Sequence, residues 1–341
     1  MYDPTARRRL GRTALHVTQF GFGTAPLAGF RTTIPEADAV ATVDAAYAAG
    51  VRLFDSSPYY GYGRAELRMG AALRDRPRDD MVVSTKIGRW MTPVPRGAKV
   101  EGMRQGGLNF HPTFDYSYDG VRRSLDQSLL RLGMDRVDIV LVHDVDFWTT
   151  GDRGVLEARF SEAMNGAYRA LADLREQGVI GAIGVGLNEA DMSARFVRAG
   201  DFDCVLLAGR YTLLEQRALD DFLPLCEQRG VGVIIGGPLN SGILATGARQ
   251  GAKYDYMDAP KGVMNRVARI EAVCARHDVP LAAAALQFPL AHPAIAAIIP
   301  GAVSRDEMTG NFALMRRPIP AALWDELRVL GLLDPRAPVP A

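Results

Sequence analysis

The chain alternates between two hydrophobic rhythms. Short apolar, β-branched runs recur along it: "VTQFGFG" from Val17, "VRLFDSS" from Val51, "MVVSTKIG" from Met81 and "VDIVLVHD" from Val137. Four more follow: "IGAIGVGLN" from Ile180, "CVLLAG" from Cys204, "VGVIIGG" from Val231 and "IAAIIPG" from Ile295. Each reads as a buried strand. Between them lie stretches at helical spacing. In "IPEADAVATVDAAYAAG", Val40, Val43 and Tyr47 recur before a stop at Gly50. "DGVRRSLDQSLLRLG", "MNGAYRALADLREQG" and "EQRALDDFLPLCEQRG" stop at Gly133, Gly178 and Gly230, as helices do where the chain must turn left-handed.

Strand then helix, repeated, predicts parallel strands joined by right-handed crossovers. Eight such units predict a closed (β/α)8 TIM barrel in preference to an open doubly wound sheet. No linker of Ser, Gly or Pro splits the chain, so residues 1–341 read as one domain. The most apolar stretch, "PLAAAALQFPLAHPAIAAIIPG" from Pro280, is interrupted by Gln287, Pro289, His292 and Pro293. A membrane helix would have to bury all four, so the stretch reads as a core helix, a turn and a strand.

In such a barrel the chemistry sits at the C-terminal ends of the strands. Polar residues stand where the apolar runs stop. Asp55 ends the second, Lys86 the third and His143 the fourth, and Asn188 follows the fifth. Four such side chains at consecutive strand ends converge on one mouth.

Composition narrows the partners. The 341 residues are 48% hydrophobic and 23% charged, with a net charge of +1, which gives no reason to expect a polyanionic partner. "RRR" at Arg7–Arg9 is too short for a nucleic-acid patch and reads as a solvated N-terminal segment. The N-terminus has no apolar core of signal-peptide length. Cys204, Cys226 and Cys274 are odd in number, widely spaced and without metal-ligand pattern, which suits a reducing cytoplasm and small core residues. The small-molecule site, with no metal, is therefore where function is sought.

The stretch "LFDSSPYYGYGRAEL" carries that site. With "GFGTAPL", "STKIG", "YDGVRRSLDQSLLRLGMDRVDIVLVHD", "GVGLN", "YTLL", "GGPLNSGIL" and "IIPGAVSRDEMTGN", it makes the chain resemble an aldo-keto reductase over nearly its whole length. The resemblance implies a catalytic tetrad of Asp55, Tyr60, Lys86 and His143. Tyr60 is matched rather than Tyr59 because it stands five residues after Asp55 and directly before Gly61. The chemistry agrees: oxidising or reducing a carbinol requires a group to take or give the oxygen's proton. A free tyrosine titrates near pH 10, so the Lys86 ammonium is expected to lower Tyr60, and Asp55 to keep Lys86 charged.

The resemblance also implies a nicotinamide cofactor, NAD or NADP. Asn188 matches a carboxamide ligand, and Tyr211 is placed either near the ring or in the core. Gly23, Thr24 and the loop Gly237, Pro238, Leu239, Ser241 and Gly242 are expected around the cofactor, as are Pro300, Gly301, Glu307 and Asn311. The chain departs from the family in having Ala208 where a glutamine is common, and Gly186–Leu187 where a serine is. Gly301 and Glu307 stand where phosphate-preferring relatives carry a lysine and an arginine, which favours NAD. Arg305 nearby keeps NADP open.

Within the family, "GYGRAEL", "KIGR", "FDYSYDGVRRSL" and "LLAGRYTLL" are most similar to bacterial aldose 1-dehydrogenases of the L-fucose (D-threo-aldose) type and to pyridoxal 4-dehydrogenase. The resemblance implies oxidation of a cyclic hemiacetal to a lactone, a sugar being favoured over pyridoxal, whose product is 4-pyridoxolactone. Substrate contacts are expected from Tyr60 and His143, with Trp90 and Phe147–Trp148 in loops after the third and fourth strands offering stacking faces. The long segment from Arg89 to Thr113 is expected to be a mobile wall, with His111 on the surface. A different class stays in view, since some barrels of the family bind cofactor as regulatory subunits. The complete tetrad argues against it here.

Overall fold

All eight expected strands form, and they pair in parallel in chain order. The structure, a computed structural model, describes residues 2–29, 33–100 and 106–340. The strands are β1 (Phe22–Gly23), β2 (Leu53–Asp55), β3 (Val82–Ile87) and β4 (Ile139–His143), then β5 (Ala182–Leu187), β6 (Cys204–Ala208), β7 (Gly232–Gly236) and β8 (Ile295–Ile299). Each pairs with its neighbour in that order. The segment before β1 closes the ring on β8, through a parallel bridge between Phe20 and Ile298 and the bonds Gly21 N to Ile298 O (2.8 Å) and Ile298 N to Gln19 O (2.9 Å).

The pleat sends alternate residues to opposite faces. One set, including Leu53, Ile139, Leu141, Leu206 and Ile234, fills the interior of the barrel. The other, including Phe54, Val83, Val140, Val142 and Ile235, packs under the helices. Glu36–Ala48, Tyr118–Leu132 and Phe222–Arg229 form over the expected helical patterns, the last two ending at Gly133 (φ 63°) and Gly230 (φ 65°). "MNGAYRALADLREQG" begins instead in a π-turn, Ala163–Ala167, continuous with an earlier helix, Arg153–Glu162, and becomes α-helical over Tyr168–Glu176. The apolar stretch from Pro280 forms a buried helix (Leu281–Gln287), a 3-10 turn (Phe288–Ala291) and β8. No described helix is long and apolar enough to cross a membrane.

Two expectations are refined. Arg7–Arg9, expected as a solvated N-terminal segment, keeps Arg7 and Arg9 exposed but forms a strand, paired antiparallel with His16–Thr18. This hairpin lies against the N-terminal ends of the barrel strands. Leu10 and Val17 are buried among the interior side chains, and Arg8 Nη1 donates to the carbonyls of Ile295 (2.5 Å) and Leu290 (3.1 Å). The segment after β3, expected as a mobile wall, is built as an antiparallel ladder of Arg89–Pro93 with Phe110–Phe114. Residues 101–105, within that expectation, lie outside the described residues.

Candidate active site

Asp55, Lys86 and His143 end β2, β3 and β4 on the side the strands run toward, and Tyr60 stands in the turn after β2. Lys86 Nζ donates to Asp55 Oδ2 at 2.6 Å and to the Ser56 carbonyl at 2.7 Å, with both charged side chains buried. Ser84 Oγ donates to the other Asp55 oxygen at 2.9 Å. The Lys86 ammonium sits 4.8 Å from the Tyr60 ring centroid, and the Tyr60 and His143 rings meet edge to face at 5.8 Å. Four side chains from three strand ends thus surround one point.

His143 is fixed from both sides. Nδ1 lies 3.2 Å from Ser57 Oγ and Nε2 lies 3.3 Å from Asp144 Oδ1. Nδ1 shares a hydrogen bond with the serine, and Nε2 approaches a carboxylate that can only accept. Tyr116 Oη donates to the His143 carbonyl at 2.7 Å, and its ring passes so close to Gly88 (φ +106°) that a Cβ there would lie 2.2 Å from it. Glycine at that strand end therefore sets how β4 is buttressed.

Burial is the main influence on these groups, and it revises one expectation. It pushes the Tyr60 phenol well above its ordinary 10, and the nearby Asp55 carboxylate pushes it further. The expected lowering by Lys86 does not emerge: burial outweighs it, and the Asp55 carboxylate beside the ammonium acts in the same upward direction. Burial, with the Lys86 and Arg89 charges, holds His143 well below its usual range, so the imidazole is neutral. Burial raises Asp55, and Lys86 opposes that rise.

Two residues at this mouth carried no signal in the sequence. Arg89 and Asp144 directly follow "KIG" and "LVH", where charged residues read as solvated loop. They form a buried ion pair at 2.9 Å across the ends of β3 and β4. The Arg89 guanidinium is sandwiched between the Tyr59 and Phe114 rings, each 4.2 Å away. Only the pairing of β3 with β4 brings them together.

A cavity opens over the tetrad, lined by Tyr59, Tyr60, Lys86, His143, Asp144 and Asn188, with Ala25, Gly186 and Ala208 among its small residues and Trp148 and Tyr256 at its edge. A Cβ on Gly186 would touch Lys86 and His143 at 3.4 and 3.7 Å, so this glycine keeps the floor flat beside the tetrad. Small residues beside a buried lysine and a neutral histidine fit the flat ring of a nicotinamide. The Asn188 amide is held at the rim, donating to Asp146 Oδ2 at 3.0 Å and Asp144 Oδ1 at 3.3 Å.

The other residues expected around a cofactor fall in three places. Gly23 and Thr24 end β1 beside Asp55, with Thr24 Oγ1 3.0 Å from the Asp55 carbonyl and Gly23 N donating to the Pro300 carbonyl at 3.2 Å. Gly237, Pro238, Leu239, Ser241 and Gly242 follow β7 in a turn whose Gly237, Ser241 and Gly242 take positive φ. Gly301, Glu307 and Asn311 follow β8 and enter the helix Arg305–Leu314. A Cβ on Gly301 would stand 2.5 Å from Pro26 Cγ, so a longer side chain does not fit there without a shift. Glu307 accepts from the Val303 amide at 2.8 Å while its own amide donates to Ser304 Oγ at 3.2 Å, so the two residues cap the helix start. Asn311 is largely buried. Tyr211 is corrected to the core alternative. It is fully buried, 5.3 Å from the Phe288 ring and 5.5 Å from His292, and does not line the cavity.

Trp90 is also corrected. Strand alternation turns it away from Arg89's side, and its indole lies under the Arg123 guanidinium at 4.5 Å instead of in the cavity. Trp148 does line the cavity, its ring 6.1 Å from that of Tyr256, which the sequence reading did not single out. Phe147 is exposed, with Arg153 over its ring, and His111 is exposed in the ladder. Cys204 begins β6 and Cys226 and Cys274 lie in helices. All three are free and buried, and burial raises their thiols. No cluster of metal-ligating side chains occurs among the described residues.

Comparison with known proteins places the chain in a class. The model of the Aldo/keto reductase family matches residues 19–330, and the chain belongs to that family. It is 43% identical to pyridoxal 4-dehydrogenase of Microbacterium luteolum, over 96% of this chain and 98% of that protein. It is 37% identical to D-threo-aldose 1-dehydrogenase of a Pseudomonas species, over 94% and 95%. Among solved structures it resembles an aldo-keto reductase from Bacillus halodurans in its holo form (TM-score 0.73, 23% identity, 96% of each chain). The glycerol dehydrogenase of Gluconobacter oxydans gives a TM-score of 0.74 at 20% identity over 99% and 98% of the chains. The protein is an oxidoreductase acting on CH–OH, with the nicotinamide cofactor of its family.

Proposed function

We propose that the protein oxidises a cyclic hemiacetal to a lactone, with L-fucose and D-threo-aldose type sugars as substrates. One observation carries the reading. A buried Lys86–Asp55 pair holds Tyr60 and a neutral His143 around a single point at the barrel mouth. His143 Nε2–H donates to the hemiacetal oxygen and orients it, and the phenolate form of Tyr60 takes the hydroxyl proton. When bound, the oxidised nicotinamide supplies the acceptor for the carbon's hydrogen. Gly186, Ala208 and Asn188 would hold its ring beside the tetrad.

Both relatives of high identity are named for substrates, an aldose and pyridoxal, that close into cyclic hemiacetals. The 43% identity to the pyridoxal enzyme favours pyridoxal as a second reading, giving 4-pyridoxolactone. NAD is the cofactor we infer, because Gly301 has no room for a larger side chain and Glu307 stands in the first turn of the helix after β8, where the resemblance implies the ribose end. Following absorbance at 340 nm with NAD or NADP, a panel of aldoses and pyridoxal tests the reading. Turnover of a hemiacetal is expected. Tight cofactor binding with no turnover of any of them would instead indicate a regulatory barrel.

A further inference from the structure

We propose that Asp144 is a specificity-determining residue that accepts a hydrogen bond from the hydroxyl on the carbon next to the reacting hemiacetal carbon. The inference rests on the reading of the site as a sugar hemiacetal dehydrogenase and adds which part of the sugar is recognised. Asp144 lines the cavity, and its backbone is in the left-handed region (φ 57°), unusual for a residue with a side chain. Such strain is held in place by surrounding structure and gathers at functional sites. Here the Arg89 guanidinium, clamped between two aromatic rings, fixes Asp144 Oδ2 at 2.9 Å.

Donor bookkeeping around the other oxygen points to the substrate. Asp144 Oδ1 accepts one hydrogen bond, from Asn188 Nδ2 at 3.3 Å, and lies 3.3 Å from His143 Nε2. The Nε2 proton is the one the reaction requires on the substrate oxygen. With Nε2–H on that oxygen, Asp144 Oδ1 is a largely buried charged acceptor holding a single long bond, so a further donor beside it is favourable. Hydroxyls on adjacent carbons stand about one hydrogen-bond length apart. A substrate oxygen held by Nε2 therefore brings its neighbour's hydroxyl within reach of Oδ1. A 2-hydroxy hemiacetal supplies that donor, and a 2-deoxy one does not.

The test compares kcat/KM for L-fucose and 2-deoxy-L-fucose in the wild type, Asp144→Asn and Asp144→Ala, with cofactor binding followed by tryptophan fluorescence as a check of folding. The wild type is expected to favour L-fucose by about 30-fold or more, from the loss of a hydrogen bond to a charged acceptor. Both variants are expected to bring the ratio below about threefold. Intrinsic reactivity differences between the sugars are common to all three proteins and cancel when their ratios are compared. A wild-type ratio near one, or variants that keep the wild-type preference, overturns the role of Asp144 while leaving hemiacetal oxidation standing. Should neither variant fold, Asp144→Glu, which keeps the charge and displaces the acceptor, is expected to lower the ratio in their place, and an unchanged ratio overturns the role. No turnover of either sugar by the wild type overturns the sugar reading itself, and this inference with it.

Discussion

Lys86 Nζ lies 2.6 Å from Asp55 Oδ2 inside the barrel mouth, where both side chains are almost completely removed from water. Each charge is tolerated there because of the other, and Ser84 and the Ser56 carbonyl take up the remaining hydrogen bonds. Replacing Lys86 by Met strands a buried carboxylate. The variant is expected to lose about 3–5 kcal/mol of stability along with turnover, read from the shift of the urea midpoint. A midpoint within about 0.5 kcal/mol of wild type would show that water reaches Asp55.

Tyr60 is the group the account assigns to proton transfer. Tyr60→Phe removes the phenolic oxygen and keeps the ring against His143. Turnover is expected to fall at least about 100-fold while cofactor affinity stays within about twofold. Activity close to wild type removes Tyr60 from the mechanism.

The site was legible in the sequence to the extent that its functional groups stand at or just after strand ends. A strand end can be read from where an apolar run stops, so Asp55, Lys86, His143 and Asn188 could be placed at one mouth before any contact was known. Arg89 and Asp144 could not, because each follows its strand end by a residue or two and a lone charge there has the same pattern as a wet loop. The ladder of Arg89–Pro93 with Phe110–Phe114 was hidden by its glycine- and proline-rich connection. Trp90 shows the cost of reading a ladder as a loop: alternation, invisible under that reading, sends it to Arg123. Tyr211 looked equally suited to ring and core, and only packing against Phe288 separates the two.

The pH dependence follows from the same burial. With the Tyr60 phenol held well above 10, the basic form is scarce at neutral pH and grows as pH rises. Oxidation is therefore expected to accelerate from about pH 7 to about pH 9, approaching tenfold per unit. With His143 held well below 6.5, no acidic limb is expected near that pH. A profile level above pH 7, or a break near 6.5, contradicts these assignments.

Cofactor preference is carried partly by a steric fact. A Cβ on Gly301 meets Pro26 at 2.5 Å, so Gly301→Lys is expected to destabilise the protein without creating a phosphate site. Wild-type kcat/KM should favour NAD, and the variant should not reverse that order. A tenfold wild-type preference for NADP would mean that Arg305 or another cation captures the phosphate.

The measurement that bears most directly on the account is the identity of the first product. Tyr60 and His143 can oxidise a ring carbinol carrying a hydrogen and a hydroxyl. Oxidising an open-chain aldehyde would need a bound water or a cysteine thiohemiacetal, and all three cysteines are buried in a strand or in helices. Early product is to be trapped with hydroxylamine at mildly acidic pH, where a lactone gives a hydroxamate and a free carboxylate does not. Hydroxamate is expected in step with cofactor reduction. Carboxylate with no trappable lactone, even at the earliest times, would contradict it.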